Sequence, residues 1–259
     1  MNQRLTMRWL ARLILAAPLL SFLVFWAWRH AVDNVGTVIA ADSPQGPASS
    51  VYRSDQMSPV ALKTFIKENQ IQTVLNLRGP NPGDEWYDAE RNTTLVSGAV
   101  QVDMPLSSCE WMSRHQALAL AATLRSARRP LLIHCFHGSE RTGLASAMTR
   151  LLTDGQTLAD ARQAFSWKYL FFGLGDGVVT LRQFEAYTQW LDANRFKHSP
   201  EQFLTWLRTD FKPVYPSREA WPYDPYPLVI TSHPPVKSAD SPALPAMASQ
   251  PQGPEVILK

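Results

Sequence analysis

With only two cysteines in 259 residues, Cys109 and Cys135, the chain has no disulfide framework to lean on. It also has little net charge, +3, and its basic residues do not gather into a stripe, which excludes a nucleic-acid footprint. Metal-ligand spacing is missing as well. No second ligand stands at a sensible distance from His134, so no metal and no other cofactor is expected. What remains is 45% hydrophobic and 18% charged, enough for one domain with a sizeable core plus appendages.

The most informative stretch is His134-Cys135-Phe136-His137-Gly138-Ser139-Glu140-Arg141-Thr142-Gly143. It follows an apolar β-like run, Pro130 to Ile133, and leads into a helical pattern, Leu144 to Leu152. A strand whose loop opens onto a helix N-terminus is an anion site, because the first-turn amides lack intrahelical acceptors and the dipole favours negative charge. Five residues separate the Cys135 thiol from the Arg141 guanidinium, so one phosphate can touch both. A helix N-terminus and nearby cations lower a cysteine pKa from about 8.5 toward roughly 3.5–7.5, which makes Cys135 a thiolate nucleophile. Arg141 offers a planar fork for two phosphate oxygens. Gly138 and Gly143 allow close approach and a sharp turn, so that the amides from Phe136 through Arg141 converge on the anion. Thr142 places a hydroxyl beside the sulfur, and His134 fixes the loop by hydrogen bonds. Glu140 would repel a phosphate, so it is expected to face away and brace Arg141 or the loop.

These residues resemble the signature of the cysteine-based protein tyrosine and dual-specificity phosphatases, with matches at His134, Cys135, Gly138, Arg141, Thr142 and Gly143. The run from Tyr52-Arg53-Ser54 through a helix to Thr73-Val74-Leu75-Asn76-Leu77-Arg78 resembles the start of bacterial dual-specificity members. The resemblance covers about Val51 to Trp190. It implies a three-layer α/β fold with a central, mostly parallel sheet of about four to five strands flanked by helices. It also implies hydrolysis of phosphate monoesters through a phosphocysteine intermediate, on phosphotyrosine, phosphoserine or phosphothreonine proteins. A membrane phospholipid or another small phosphate ester is the alternative substrate, and a phosphate-binding module without turnover or a sulfurtransferase is the alternative class; the Arg141-Thr142-Gly143 ending argues against the last.

One expected part is absent. In the phosphatases this chain resembles, an aspartate a few residues past the position of Pro105 protonates the leaving oxygen. Here those positions are Leu106, Ser107, Ser108, Cys109 and Glu110. Glu110 is the first candidate acid, Asp103 the second, and a reaction needing no acid the third. Cys109 stands on the same segment, either as a small apolar loop residue or as a disulfide partner for Cys135. Arg78 belongs either to the site's periphery or to a salt bridge with Glu85 or Glu90.

The local patterns support an alternation of strands and helices. Strands are predicted at Val51–Ser54, Ile71–Leu77, Val100–Pro105 and before Cys135. Helices are predicted from Ser58-Pro59 to about Asn69, over Asp84–Asn92, after the Ser113/Gln116 capping box, after Thr157, around Leu181–Leu191 and near Pro200–Leu207. Residues 166–177 form an aromatic-rich loop that fills core or lies beside the site. Trp9 to Trp28 is an apolar twenty-residue stretch interrupted by Arg12, long enough to span a membrane. Arg4, Arg8 and Arg12 before it put residues 1–8 in the cytoplasm and the phosphatase domain, 51–210, on the periplasmic or other extracytoplasmic side, with 29–50 as tether. A cleaved signal peptide is the competing reading. The proline-dense 211–259 is expected to be a largely disordered tail.

Overall fold

The computed structural model describes residues 20–21, 34–40, 49–175, 177–214 and 228–230. The expected anchor Trp9–Trp28 lies outside these apart from Leu20 and Ser21, as does most of the tail. Among the described residues, no helix is long and apolar enough to cross a membrane.

Six strands form one mixed sheet in the order β1-β2-β5-β3-β4-β6. They are β1 (Gly36–Ile39), β2 (Val51–Ser54), β3 (Thr73–Asn76), β4 (Val100–Asp103), β5 (Leu131–His134) and β6 (Leu228–Ile230). The inner four run parallel, and the two edges pair antiparallel. The parallel centre matches the expectation, and both additional strands come from segments expected to be irregular. Gly36–Ile39, within the expected tether, forms an edge strand. Leu228–Ile230 lies in the predicted disordered tail, yet it pairs with β4. Three residues in extended conformation suffice for an edge, where proline on either side does no harm.

The helices are α1 (Pro59–Glu68), α2 (Glu85–Val96), α3 (Arg114–Ser126), α4 (Glu140–Leu151), α5 (Leu158–Arg162), α6 (Val178–Asn194) and α7 (Pro200–Thr209). Their starts follow the sequence signals. Ser58 caps α1 with Pro59 in its first turn, and Ser113 with Gln116 and Thr157 with Asp160 form capping boxes. Helices α3, α4, α6 and α7 cover one face through Leu120, Leu124, Met148, Phe184, Tyr187 and Trp206. On the other face Leu62, Ile66, Val74 and Leu132 make a smaller core under α1. The three layers are therefore those the sequence implied.

Strand β5 lies between β2 and β3, and all four of its residues are buried. Such a strand, covered on both faces, reads as a continuous apolar run, as Leu131-Leu132-Ile133 does. The chain visits β2, β3 and β4 before returning to fill the gap with β5. In an open α/β sheet the crevice beyond the carboxyl ends, where strand order reverses, is where ligands bind. The Cys135 loop starts there.

Candidate active site

Cys135 follows β5 and is 1% exposed, at the base of a cleft of about 470 Å³. Arg78, Asn81, Ser108, Phe136, His137, Glu140 and Arg141 complete its lining. Burial alone would push the thiol's pKa up. Against it stand the charge of Arg141, the hydroxyl and amide of Thr142 and the amide of Gly138, and together they bring it below the ordinary cysteine value. These groups favour the thiolate form over what burial alone would allow. The Thr142 hydroxyl, 0% exposed, has no other partner among the described residues.

The loop is fastened on every side. Gly138 has φ +67, and a Cβ there would stand 2.7 Å from the Ser54 carbonyl oxygen and the Asp55 amide nitrogen, so only glycine fits. Gly143 differs from its expected role. It lies inside α4 and makes no turn, but it lets the helix approach the Ala164 carbonyl, 3.3 Å from a notional Cβ. The Ser139 hydroxyl donates to the Leu170 carbonyl at 3.0 Å. The Asn34 amide donates to the His137 carbonyl at 2.9 Å and to the Tyr169 carbonyl at 3.2 Å, so the residues preceding β1 hold the rim.

Arg53 on β2 is the strongest of these ties. It is 1% exposed and donates to the Gly138 carbonyl at 2.6 Å and the Ala164 carbonyl at 2.9 Å, with its guanidinium 3.8 Å from the Tyr169 ring centroid. Burial lowers its pKa to about 10, and it remains charged at neutral pH. Its role was not legible beforehand. Only its place in Tyr52-Arg53-Ser54, a charged residue within a strand, hinted at it.

His134 lies behind the nucleophile. Its Nε2 is 3.2 Å from a carboxylate oxygen of Glu90 on α2, both side chains 3% exposed. Burial would keep this imidazole neutral, but the Glu90 charge and hydrogen bond and the Cys135 carbonyl raise its pKa above the ordinary histidine value. Gln56 donates to the other Glu90 oxygen and accepts from Arg78 Nη1 at 2.7 Å. Glu90 thus pairs with His134 and reaches Arg78 only through Gln56. Arg78 stacks 3.3 Å over the Trp86 ring and faces the cleft. Partial burial and repulsion from Arg141 lower its pKa. Of its two expected roles, the structure supports the place at the site's periphery.

Arg141 reaches across the cleft. Its Nη1 donates to the Leu77 and Leu106 carbonyls at 3.4 and 3.3 Å, and its Nε has no partner among the described residues. A preoriented fork with a spare donor beside a thiolate is what an incoming phosphate needs.

The carboxylates depart from expectation. Asp103 is 0% exposed and accepts from Tyr87 at 2.6 Å, Asn76 at 2.8 Å and Gln101 at 3.0 Å. Strand alternation points it into this buried network, so it is structural and not the acid. Glu110 is exposed and lines the adjoining cleft with Cys109, Trp111 and Arg182. Ser108 is the residue of that segment in the catalytic cleft. Glu140 was expected to face away, yet it lines the cleft, its Cγ packed where a Cβ on Gly177 would come within 2.7 Å. It is the first residue of α4. Cys109 is exposed, Cys135 is buried, and both are free thiols. No group of three or more His, Cys, Asp or Glu suited to a metal occurs among the described residues.

A buried cysteine with a lowered pKa, the amides of Gly138 and Thr142 beside it and an arginine lining the same cleft are the parts a cysteine-dependent phosphatase needs. The model of the tyrosine phosphatase family matches residues 34–157. Among curated proteins, the dual specificity protein phosphatase TpbA of Pseudomonas aeruginosa strain PAO1 is 28% identical over 155 residues, 59% of this chain and 69% of that protein. TpbA of strain UCBPP-PA14 is 27% identical over 154 residues, with the same coverage. Among solved structures, P. aeruginosa TpbA is 21% identical, covering 53% of this chain and 80% of that one with a TM-score of 0.42. The catalytic core of the PP-IP phosphatase SIW14 from S. cerevisiae is 17% identical, covering 63% and 94% with a TM-score of 0.45. Over residues 34–157, just under half of its length, the chain thus matches the tyrosine phosphatase family, and the relatives it resembles there are phosphatases.

Proposed function

We propose that the protein dephosphorylates phosphorylated proteins, phosphotyrosine foremost, through a phosphocysteine intermediate. The observation that carries this is Cys135, its thiol pKa lowered by the charge of Arg141, lining one cleft together with that arginine. Phe136, 50% exposed, and the Arg78–Trp86 stack give that cleft an aromatic rim against which an aryl ester can lie. TpbA, the relative named above, is a dual specificity protein phosphatase, which supports the same substrate class.

In the first step the Cys135 sulfur attacks phosphorus. An S–P bond forms as the P–O bond breaks, while Arg141 and the loop amides hold the equatorial oxygens. The leaving oxygen takes a proton as it departs. The carboxyl group lining the cleft is Glu140, with Glu110 in the next cleft as the alternative donor. In the second step water attacks phosphorus and the S–P bond breaks. The Thr142 hydroxyl stabilises the departing thiolate, and inorganic phosphate is released.

Turnover of an aryl phosphate, lost in Cys135→Ser, together with phosphopeptide hydrolysis exceeding that of phospholipid vesicles, is the expected result. Faster release of phosphate from vesicles would transfer the assignment to a lipid substrate. The apolar Trp9–Trp28 stretch with its basic flank supports a further part of the reading, an anchor that places the phosphatase domain outside the cytoplasm. Protease added to cells whose outer envelope is opened and whose inner membrane is intact should digest the domain; full protection would overturn that placement.

A further inference from the structure

A second cavity of about 150 Å³ lies along α4, two to three turns beyond the catalytic loop, and shares no residue with the catalytic cleft. Its wall holds three cations, Arg53, Arg150 and Lys168, and five neutral hydrogen-bonding side chains, Thr37, Ser146, Gln163, Ser166 and Tyr169. No Asp or Glu lines it. Arg53 and Ser146 are each 1% exposed, and Arg53 Nε and Ser146 Oγ have no partner among the described residues. Buried charges are ordinarily paired, and a buried donor left unsatisfied is costly. Here one guanidinium is fully buried, a second lines the same cavity, and their like charges repel.

We propose that this cavity is a second anion site, built for a phosphate group, free or at the end of a small ester. An oxyanion between Arg53 and Arg150 offsets their mutual repulsion inside a cavity with no carboxylate in its lining, and supplies acceptors for Arg53 Nε and the Ser146 hydroxyl. Its tetrahedral oxygens suit donors arriving from several directions, from β2, from α4 and from the segment after α5. Lys168 and Gln163, both exposed, stand at the mouth, where the ester substituent would emerge. The volume holds several waters' worth of oxygen atoms, more than a single ordered water requires. Arg53 also donates to the Gly138 carbonyl, so an occupant would touch the side chain that fastens the catalytic loop.

Binding of inorganic phosphate to the full chain, measured by calorimetry, separates the two sites by stoichiometry. The wild type should take up two equivalents and the double variant Arg150→Ala/Lys168→Ala one, while that variant keeps its circular dichroism spectrum and its aryl-phosphatase turnover. Arg141→Ala, which disables the cleft, should retain one equivalent, and adding the double substitution should weaken it about tenfold or more. Glycerol 3-phosphate offered to Arg141→Ala distinguishes the sources: binding shows that the mouth admits an ester, and its absence restricts the site to free phosphate. A single equivalent in the wild type, no saturable binding to Arg141→Ala, or stoichiometry unchanged by the double substitution would overturn the proposal.

Discussion

The two walls of the catalytic cleft are built differently. On one side, residues 134–143 are held by Asn34, Arg53, Glu90 and Leu170 from four other parts of the chain. On the other, the segment 106–111 rises from a buried Leu106 to an exposed Cys109 and Glu110 and presents only Ser108 to the cleft. The fastened wall carries charge that must be in place before substrate arrives. Preorganised dipoles and charges in a water-poor site need no rearrangement during reaction, and this is why such groups dominate catalysis. The open wall faces the leaving group, whose identity varies with substrate. Fixing the phosphate and leaving the alcohol side loose is a division of labour between the two.

The contrast can be tested from the fastened wall outward. Gly138→Ala should have the largest effect. The new Cβ meets backbone of Ser54 and Asp55 at a positive φ, so aryl-phosphatase turnover should fall to the level of Cys135→Ser, with a lowered melting temperature. Arg141→Ala should lower kcat by about 10²- to 10³-fold, the loss seen when one charge-stabilising donor is removed. Glu140→Gln should lower kcat by roughly 10²-fold and remove one limb of the pH profile, whereas Glu110→Gln should do neither. The reverse outcome would show that the open segment closes over substrate and brings Glu110 with it.

Asp103→Asn is expected to act on stability alone, by about 1–3 kcal/mol through the network it shares with Tyr87, Asn76 and Gln101. Burial raises the Asp103 pKa despite these three bonds, so the fold favours the protonated acid more than the unfolded chain does. The stabilisation is complete below the unfolded value of about 3.9 and is lost as pH rises through the higher folded value. Urea denaturation across that range should show the slope in the wild type and a flatter profile in the variant. Smallest of all, Cys109→Ala should leave turnover unchanged and stability within about 0.5 kcal/mol, because the residue is exposed and its sulfur makes only a 3.5 Å contact with the neighbouring Ser108 hydroxyl.

The same contrast explains what was legible in the sequence. Cys135, Arg141 and the glycines are close along the chain, and a strand, a loop and a helix start suffice to bring them together. Ser58, Ser113 and Thr157 marked helix starts for a similar reason, since a cap acts on amides two or three residues away. Arg53, Glu90, Gln56 and Asn34 act across the sheet, with partners dozens of residues distant, and no local pattern names them. Asp103 shows the converse. Its spacing from Pro105 made it a candidate acid, but a residue's place on a strand says little about whether it faces a cleft or a neighbouring helix. The edge strands β1 and β6 escaped notice because pairing at an edge depends on the partner's free hydrogen bonds more than on the segment's own pattern.

The place of β5 in the middle of the sheet bears on how the enzyme fails. Its backbone is bonded on both sides, and amides in such a strand open only when the whole domain does. The nucleophile therefore has no low-energy route out of position. Heating should abolish turnover together with tertiary structure, and hydrogen exchange at Leu132 and Ile133 should be among the slowest in the molecule, so that inactivation reports global unfolding.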